Sequence, residues 1–87
     1  MKTKYAILGE TYLSDGVWWE QVITTGSKAE INRHMKLHAI DPYYYIEYRD
    51  IRVEKYDADK PEDLAIFEGK WPDDEAEADA LYEKMNS

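Results

Sequence analysis

Cysteine is missing from the 87 residues, which removes disulfides and thiolate metal ligands from the means of stabilising the chain and ties it to no oxidising compartment. Glycine is scarce: Gly9, Gly16, Gly26 and Gly69 stand alone, so no glycine-rich loop can cradle a phosphate, and each reads as a turn or an element boundary. Serine is limited to Ser14, Ser27 and Ser87, placed in a turn, a cap and a terminus, which argues against a nucleophile assisted by histidine. No apolar run approaches the roughly 20 residues of a membrane span. The basic start Met1-Lys2-Thr3-Lys4 is followed by too short an apolar stretch for a signal peptide, since Gly9-Glu10 interrupts it. The expected setting is therefore cytoplasmic, and the expected object a single domain covering residues 1–87.

What the chain has instead is acid and aromatic rings. Residues 57–87 carry 11 acids against Lys60, Lys70 and Lys84, a balance of −8, whereas residues 1–56 carry 8 acids and 8 bases. An excess of carboxylates repels phosphate at long range, so neither nucleic acid nor anionic lipid is the expected ligand. Eight Tyr, three Trp and one Phe provide much of the core mass. Tyr and Trp are also enriched where interfaces are strongest, so some of them are expected to face a partner.

Along the chain, residues 4–13 read as a strand with apolar residues on both parities, and residues 17–25, rich in β-branched and aromatic side chains, as its hairpin partner. Between them Asp15-Gly16 suits a two-residue turn. That register pairs Tyr12 with Trp19, whereas a three-residue loop opposes Glu10 with Glu20; like charges across a ladder are unfavourable, so the tighter turn is expected. Ser27-Lys28-Ala29-Glu30 is a capping box opening a helix that Asp41-Pro42 ends, with Ile31, Met35 and His38 on one face and His34 at its edge. Residues 43–56 read as a long strand whose alternation changes phase. A bulge near Arg49-Asp50 reconciles the two halves, and two shorter strands serve equally well.

A polar loop follows over residues 57–63, with one helical turn opened by Pro61 as an option. Residues 64–67 are too few for a stable helix and read as a short strand ended at Gly69. A last helix capped by Asp73 or Asp74 runs to about Met85, burying Ala78, Leu81, Tyr82 and Met85. The expected fold class is α+β, in the order β-β-α-β-(β)-α: an antiparallel sheet of three to four strands with two helices packed on one face.

Two patterns invite chemistry. His34 and His38, four apart on a helix with Glu30 one turn earlier, have a spacing that suits one metal ion; the face they share with Ile31 and Met35 favours the edge of a core instead, and no metal or other cofactor is expected. Carboxylate pairs such as Asp73 with Glu77 lack an apolar pocket that would raise a pKa to a catalytic range, so no enzyme is expected.

The last helix places Glu75, Asp79 and Glu83 at four-residue intervals, a like-charge column where a sequence selected for stability alone could have placed Lys, although a solvated face that confers solubility also accounts for it. The expected function is a non-enzymatic binding module that meets a basic protein surface, including that of a nucleic-acid-binding protein. Its contacts are expected at Glu75, Asp79, Glu83, Asp73 and Asp74, with Asp59 and Asp63 in support and Trp71 as aromatic anchor. One form of this is an inhibitor carried by a phage or mobile element that mimics nucleic acid. In size and charge balance the chain resembles small acidic anti-restriction and anti-CRISPR proteins of phages, a likeness of composition with no shared motif. The alternatives are a nucleic-acid or peptide-binding sheet built on Tyr43-Tyr44-Tyr45 and Tyr48 with Arg49 and Arg52, and a homodimer or larger homo-oligomer joined along an exposed strand edge.

Overall fold

A computed structural model describes residues 1–86; Ser87 lies outside the described residues. The element order is β1 (Thr3–Tyr12), β2 (Trp18–Gly26), α1 (Lys28–Ile40), β3 (Tyr48–Asp57), α2 (Pro61–Glu68) and α3 (Glu75–Met85). The class is α+β, with a three-stranded antiparallel sheet in the order β2-β1-β3 and three helices. The chain divides into two compact units, Lys4–Lys55 and Met1–Thr3 with Tyr56–Ser87.

In the first unit the central strand is where the core begins. Ala6, Ile7 and Leu8 are buried in succession, so β1 is covered on both faces, as its two apolar parities predict. The hairpin register differs from expectation. Tyr12 lies opposite Trp18 and Glu10 opposite Glu20, with Leu13 and Val17 closing a three-residue loop. Gly16 takes the left-handed conformation that ends such a loop (φ 83°), and the Asp15 carboxylate accepts from the Val17 amide at 3.0 Å and from Trp19 Nε1 at 3.2 Å. The opposed glutamates are tolerated because β3 supplies a cation to each: Arg49 approaches Glu10 at 3.6 Å and Arg52 approaches Glu20 at 2.6 Å. A register shift between Ile7 and Leu8 leaves Ile23 as an extra residue in β2.

The capping box forms as read: the Ser27 hydroxyl accepts from the Glu30 amide and the Glu30 carboxylate accepts from the Ser27 amide. Ile31 is buried on α1, with His34, Met35 and His38 half-buried beside it. The strand predicted from residue 43 begins only at Tyr48. Residues 42–47 are turn, because the Asp41 carboxylate holds the Tyr43 amide at 2.9 Å, the Asp41 carbonyl holds the Tyr44 amide at 3.1 Å, and Tyr45 is left-handed (φ 62°). The change of phase that the sequence places near Arg49-Asp50 coincides with a second left-handed residue, Asp50 (φ 51°).

In the second unit, residues 64–67 are helix rather than strand. Pro61 opens α2, Glu62 and Asp63 fill its first turn, and Gly69 ends it in the left-handed conformation (φ 67°), with the amides of Gly69 and Lys70 both returning to the Leu64 carbonyl. The four apolar residues taken alone omit the cap at each end. Tyr56 stacks on Phe67 at 4.5 Å and donates to the Glu68 carboxylate at 2.8 Å, and Tyr56, Ala65 and Leu81 are buried. Asp74 caps α3 by accepting from the Glu77 amide at 3.1 Å. Among the described residues, no helix is long and apolar enough to cross a membrane.

Several carboxylates are committed to this framework. Glu30 is held below the usual glutamate range by the Ser27 amide and hydroxyl, Asp57 below the aspartate range chiefly by the Asp59 amide, and Glu62 below its range chiefly by Lys84. Each therefore contributes stability that is complete above its unfolded pKa and lost as pH falls through its folded value. Glu10 has the opposite sign, because a hydrogen bond to Asp50 and then desolvation raise it and favour its protonated form. Three depressed groups against one raised group predict a net loss of stability from about pH 5 down to about pH 3. Urea midpoints measured across that window check it; a flat profile would mean these carboxylate contacts do not form in solution.

Candidate functional site

Glu75 stands at the start of α3, just after the Asp74 cap, where the positive end of the helix dipole accommodates acid. Asp79 and Glu83 follow at intervals of about 6 Å along the axis, and all three side chains are exposed. Helical spacing sets Tyr82, Glu75, Asp79 and Glu83 within an arc of about 100°, while Ala78, Leu81 and Met85 occupy the neighbouring, covered arc. Tyr82, expected in the buried stripe, is 60% exposed. Leu81 and Ala78 fill the contact with the rest of the unit, so Tyr82, at the margin of the stripe, turns outward. Its ring lies 6.5 Å from that of Trp71, which is 42% exposed, so an aromatic pair flanks the acid column.

The nearby lysines pair elsewhere. Lys84 meets Glu62 at 2.5 Å and Lys70 meets Glu68 at 3.3 Å. Among the described residues, no ion pair involves Glu75, Asp79, Glu83 or Asp73. Of the remaining predicted contacts, Asp74 is exposed but uses one oxygen in the cap. Asp59 faces the Met1 ammonium at 3.5 Å, and half-buried Asp63 accepts from the Asp57 amide at 2.8 Å. Asp63 is thus engaged by a backbone bond and Asp59, still exposed, by a surface ion pair, whereas Glu75, Asp79 and Glu83 form a column with no ion pair among the described residues. Tyr82, read from the sequence as part of the buried stripe, joins instead the exposed face beside the column.

On the other side of α3, Pro61, Pro72, Ala80 and Leu81 with Glu62, Glu77 and Lys84 line a shallow groove of about 340 Å³. Its charged rim is already occupied by the Lys84–Glu62 pair.

The histidines and tyrosines of the first unit are engaged with one another. The Tyr44 hydroxyl lies 2.6 Å from His34 Nδ1, the Tyr45 hydroxyl lies 3.3 Å from the same nitrogen, and His38 Nδ1 lies 3.1 Å from the Tyr44 carbonyl. Desolvation, with the Tyr44 hydroxyl beside it, pushes the Tyr45 phenol up to about 12. Among the described residues, no group of three or more acids and histidines is arranged to hold a metal ion. The cations considered for a stacking platform are also in use: Arg49 sits 3.9 Å over the Trp18 ring and beside Glu10, and Arg52 bridges Glu20 and Glu54. No protein-family model, curated protein or solved structure matches the chain.

Proposed function

We propose that this chain is a non-enzymatic binding module whose acidic α3 face engages a basic protein surface. The observation that carries this reading is the exposed column of Glu75, Asp79 and Glu83, without an ion-pair partner among the described residues and flanked by exposed Trp71 and Tyr82. Like charges at four-residue spacing cost about 0.2–0.5 kcal/mol per pair in a helix, and a cationic partner converts that cost into attraction. Carboxylates speed the encounter, and the two rings supply the apolar area that holds the complex.

Mimicry of a phosphate backbone is the narrower form of this reading. The column offers about one charge per 6 Å, against about one per 3.4 Å along a DNA strand. Asp73 and Asp74, exposed just before α3, add charge at its upper end. An inhibitor that occupies a nucleic-acid-binding protein fits this chemistry.

Comparison of the wild-type chain with the variant Glu75→Lys, Asp79→Lys, Glu83→Lys as bait in lysate tests the reading. The wild type should retain a basic protein at low salt and release it at high salt, where screening shortens the reach of the column. The variant should retain none of it while its thermal midpoint changes little, since the substitutions are exposed and the Asp74 cap is intact. Equal retention by both baits, or retention indifferent to salt, would refute it. Tryptophan fluorescence should stay unchanged on titration with single-stranded DNA.

A further inference from the structure

We propose that His34 and His38 form a two-nitrogen chelate for a borderline divalent metal ion, zinc or copper(II), with water completing the ion's coordination. The two residues stand four apart on α1, about 6 Å along its axis, the spacing at which paired histidines on one helix face hold zinc. That spacing alone is commonplace. What distinguishes this pair is that the structure shows which nitrogen of each ring is left for a ligand.

His38 Nδ1 lies 3.1 Å from the Tyr44 carbonyl, an oxygen that can only accept, so this nitrogen carries the proton and Nε2 keeps its lone pair. The tautomer of His38 is thereby set. His34 Nδ1 is held by the same residue, 2.6 Å from the Tyr44 hydroxyl, with the Tyr45 hydroxyl at 3.3 Å. A hydroxyl accepts as readily as it donates, so His34 can keep its proton on Nδ1 and offer Nε2 as well. Among the described residues no hydrogen bond reaches either Nε2, and no buried side-chain nitrogen lacks a partner, so both atoms open to solvent. Two lone pairs stand free on rings whose other nitrogens face one tyrosine.

A metal-ligating histidine nearly always donates its second N–H to an acceptor that orients the ring and raises its basicity. Tyr44 is placed to do this for both rings. The turn that carries it is held under strain: Tyr45 is left-handed (φ 62°), which is uncommon for an aromatic residue, and it packs 4.4 Å from Tyr44 and 6.2 Å from His38. Strain of this kind persists where the surroundings over-determine a conformation, and it gathers at ligand sites. Imidazole suits zinc and copper, whereas magnesium and calcium demand oxygen. No third acid or histidine is grouped with the pair among the described residues, so the other positions on the ion belong to water.

Calorimetric titration of the tag-free, metal-free chain with zinc chloride tests this. One zinc per chain should bind in the micromolar range, copper(II) more tightly, and magnesium not at all. His34→Gln and His38→Gln should each abolish the isotherm. Tyr44→Phe, which removes the hydroxyl from His34 and leaves the carbonyl on His38, should weaken zinc binding about 10-fold or more. Glu75→Lys with Asp79→Lys and Glu83→Lys should bind zinc as the wild type does, which keeps the result independent of the reading of α3. The wild type alone gives a further readout that needs no variant to fold: on zinc addition the imidazole nitrogen resonances of both histidines should shift at Nε2 while Nδ1 stays protonated. Absence of a micromolar site, a site that survives loss of either histidine, one that takes magnesium as readily as zinc, or one lost on reversal of the α3 acids overturns the proposal.

Discussion

Ile7→Ala should lower the stability of this protein by about 3 kcal/mol, a large part of the roughly 4–13 kcal/mol available to a chain of its length. Ile7 and Ile31 are the largest side chains fully removed from solvent, and Ile7 lies on the central strand of a three-stranded sheet. Removing its three outer carbons forfeits their transfer energy and leaves a cavity that a strand paired on both edges cannot close by shifting. Ile7→Val should cost about 1 kcal/mol, and Ile40→Ala, at an exposed position on α1, less than about 0.5 kcal/mol. Urea denaturation followed by tryptophan fluorescence measures all three. Equal losses for Ile7→Ala and Ile40→Ala would place the core elsewhere.

What the sequence made legible was local, and what it concealed came from a distance. Ser27 and Glu30 are three residues apart and their capping box was readable; so were a cap at Asp73 or Asp74, which the structure resolves to Asp74, and the four-residue repeat of Glu75, Asp79 and Glu83. The hairpin register was not readable, because the charges that permit Glu10 to face Glu20 belong to Arg49 and Arg52, on a strand formed much later in the chain. Three consecutive tyrosines at 43–45 have strand propensity, but Asp41 bonds the turn and His34 and His38 on α1 hold Tyr44, which overrides that propensity. Asp59 and Asp63 enter the predicted contact set on charge alone. Their use by the Met1 ammonium and the Asp57 amide depends on how the second unit folds, which charge counting does not register. Gly9 falls inside the strand read over residues 4–13, although glycine is a poor strand former, and it is buried in β1 for a reason only the neighbouring strands disclose.

That reason makes Gly9→Val the other large effect, and propensity alone predicts the wrong sign for it. Valine is favoured in strands over glycine by about 1 kcal/mol, so a reading of β1 in isolation expects stabilisation. A Cβ at position 9 would lie 3.1 Å from Ile23 Cδ1, 3.2 Å from Tyr48 Cβ and 3.4 Å from the Arg49 carbonyl oxygen. Ile23 can yield by turning about χ2, which swings Cδ1 away. Tyr48 Cβ cannot, because it is fixed to the backbone of β3 immediately before Arg49 and the left-handed Asp50. Gly9→Ala should therefore cost about 1–3 kcal/mol, and Gly9→Val, with two further methyl groups in the same space, more than that and enough to populate the unfolded chain at ambient temperature. Gly69→Ala separates the causes: its added Cβ meets nothing within 4 Å, so it should cost only about 1 kcal/mol through its positive φ. A Gly9→Val protein as stable as the wild type would mean that β1 and β3 do not approach so closely. The Arg49–Glu10 and Arg52–Glu20 pairs invoked for the hairpin register would then lose their geometric basis as well.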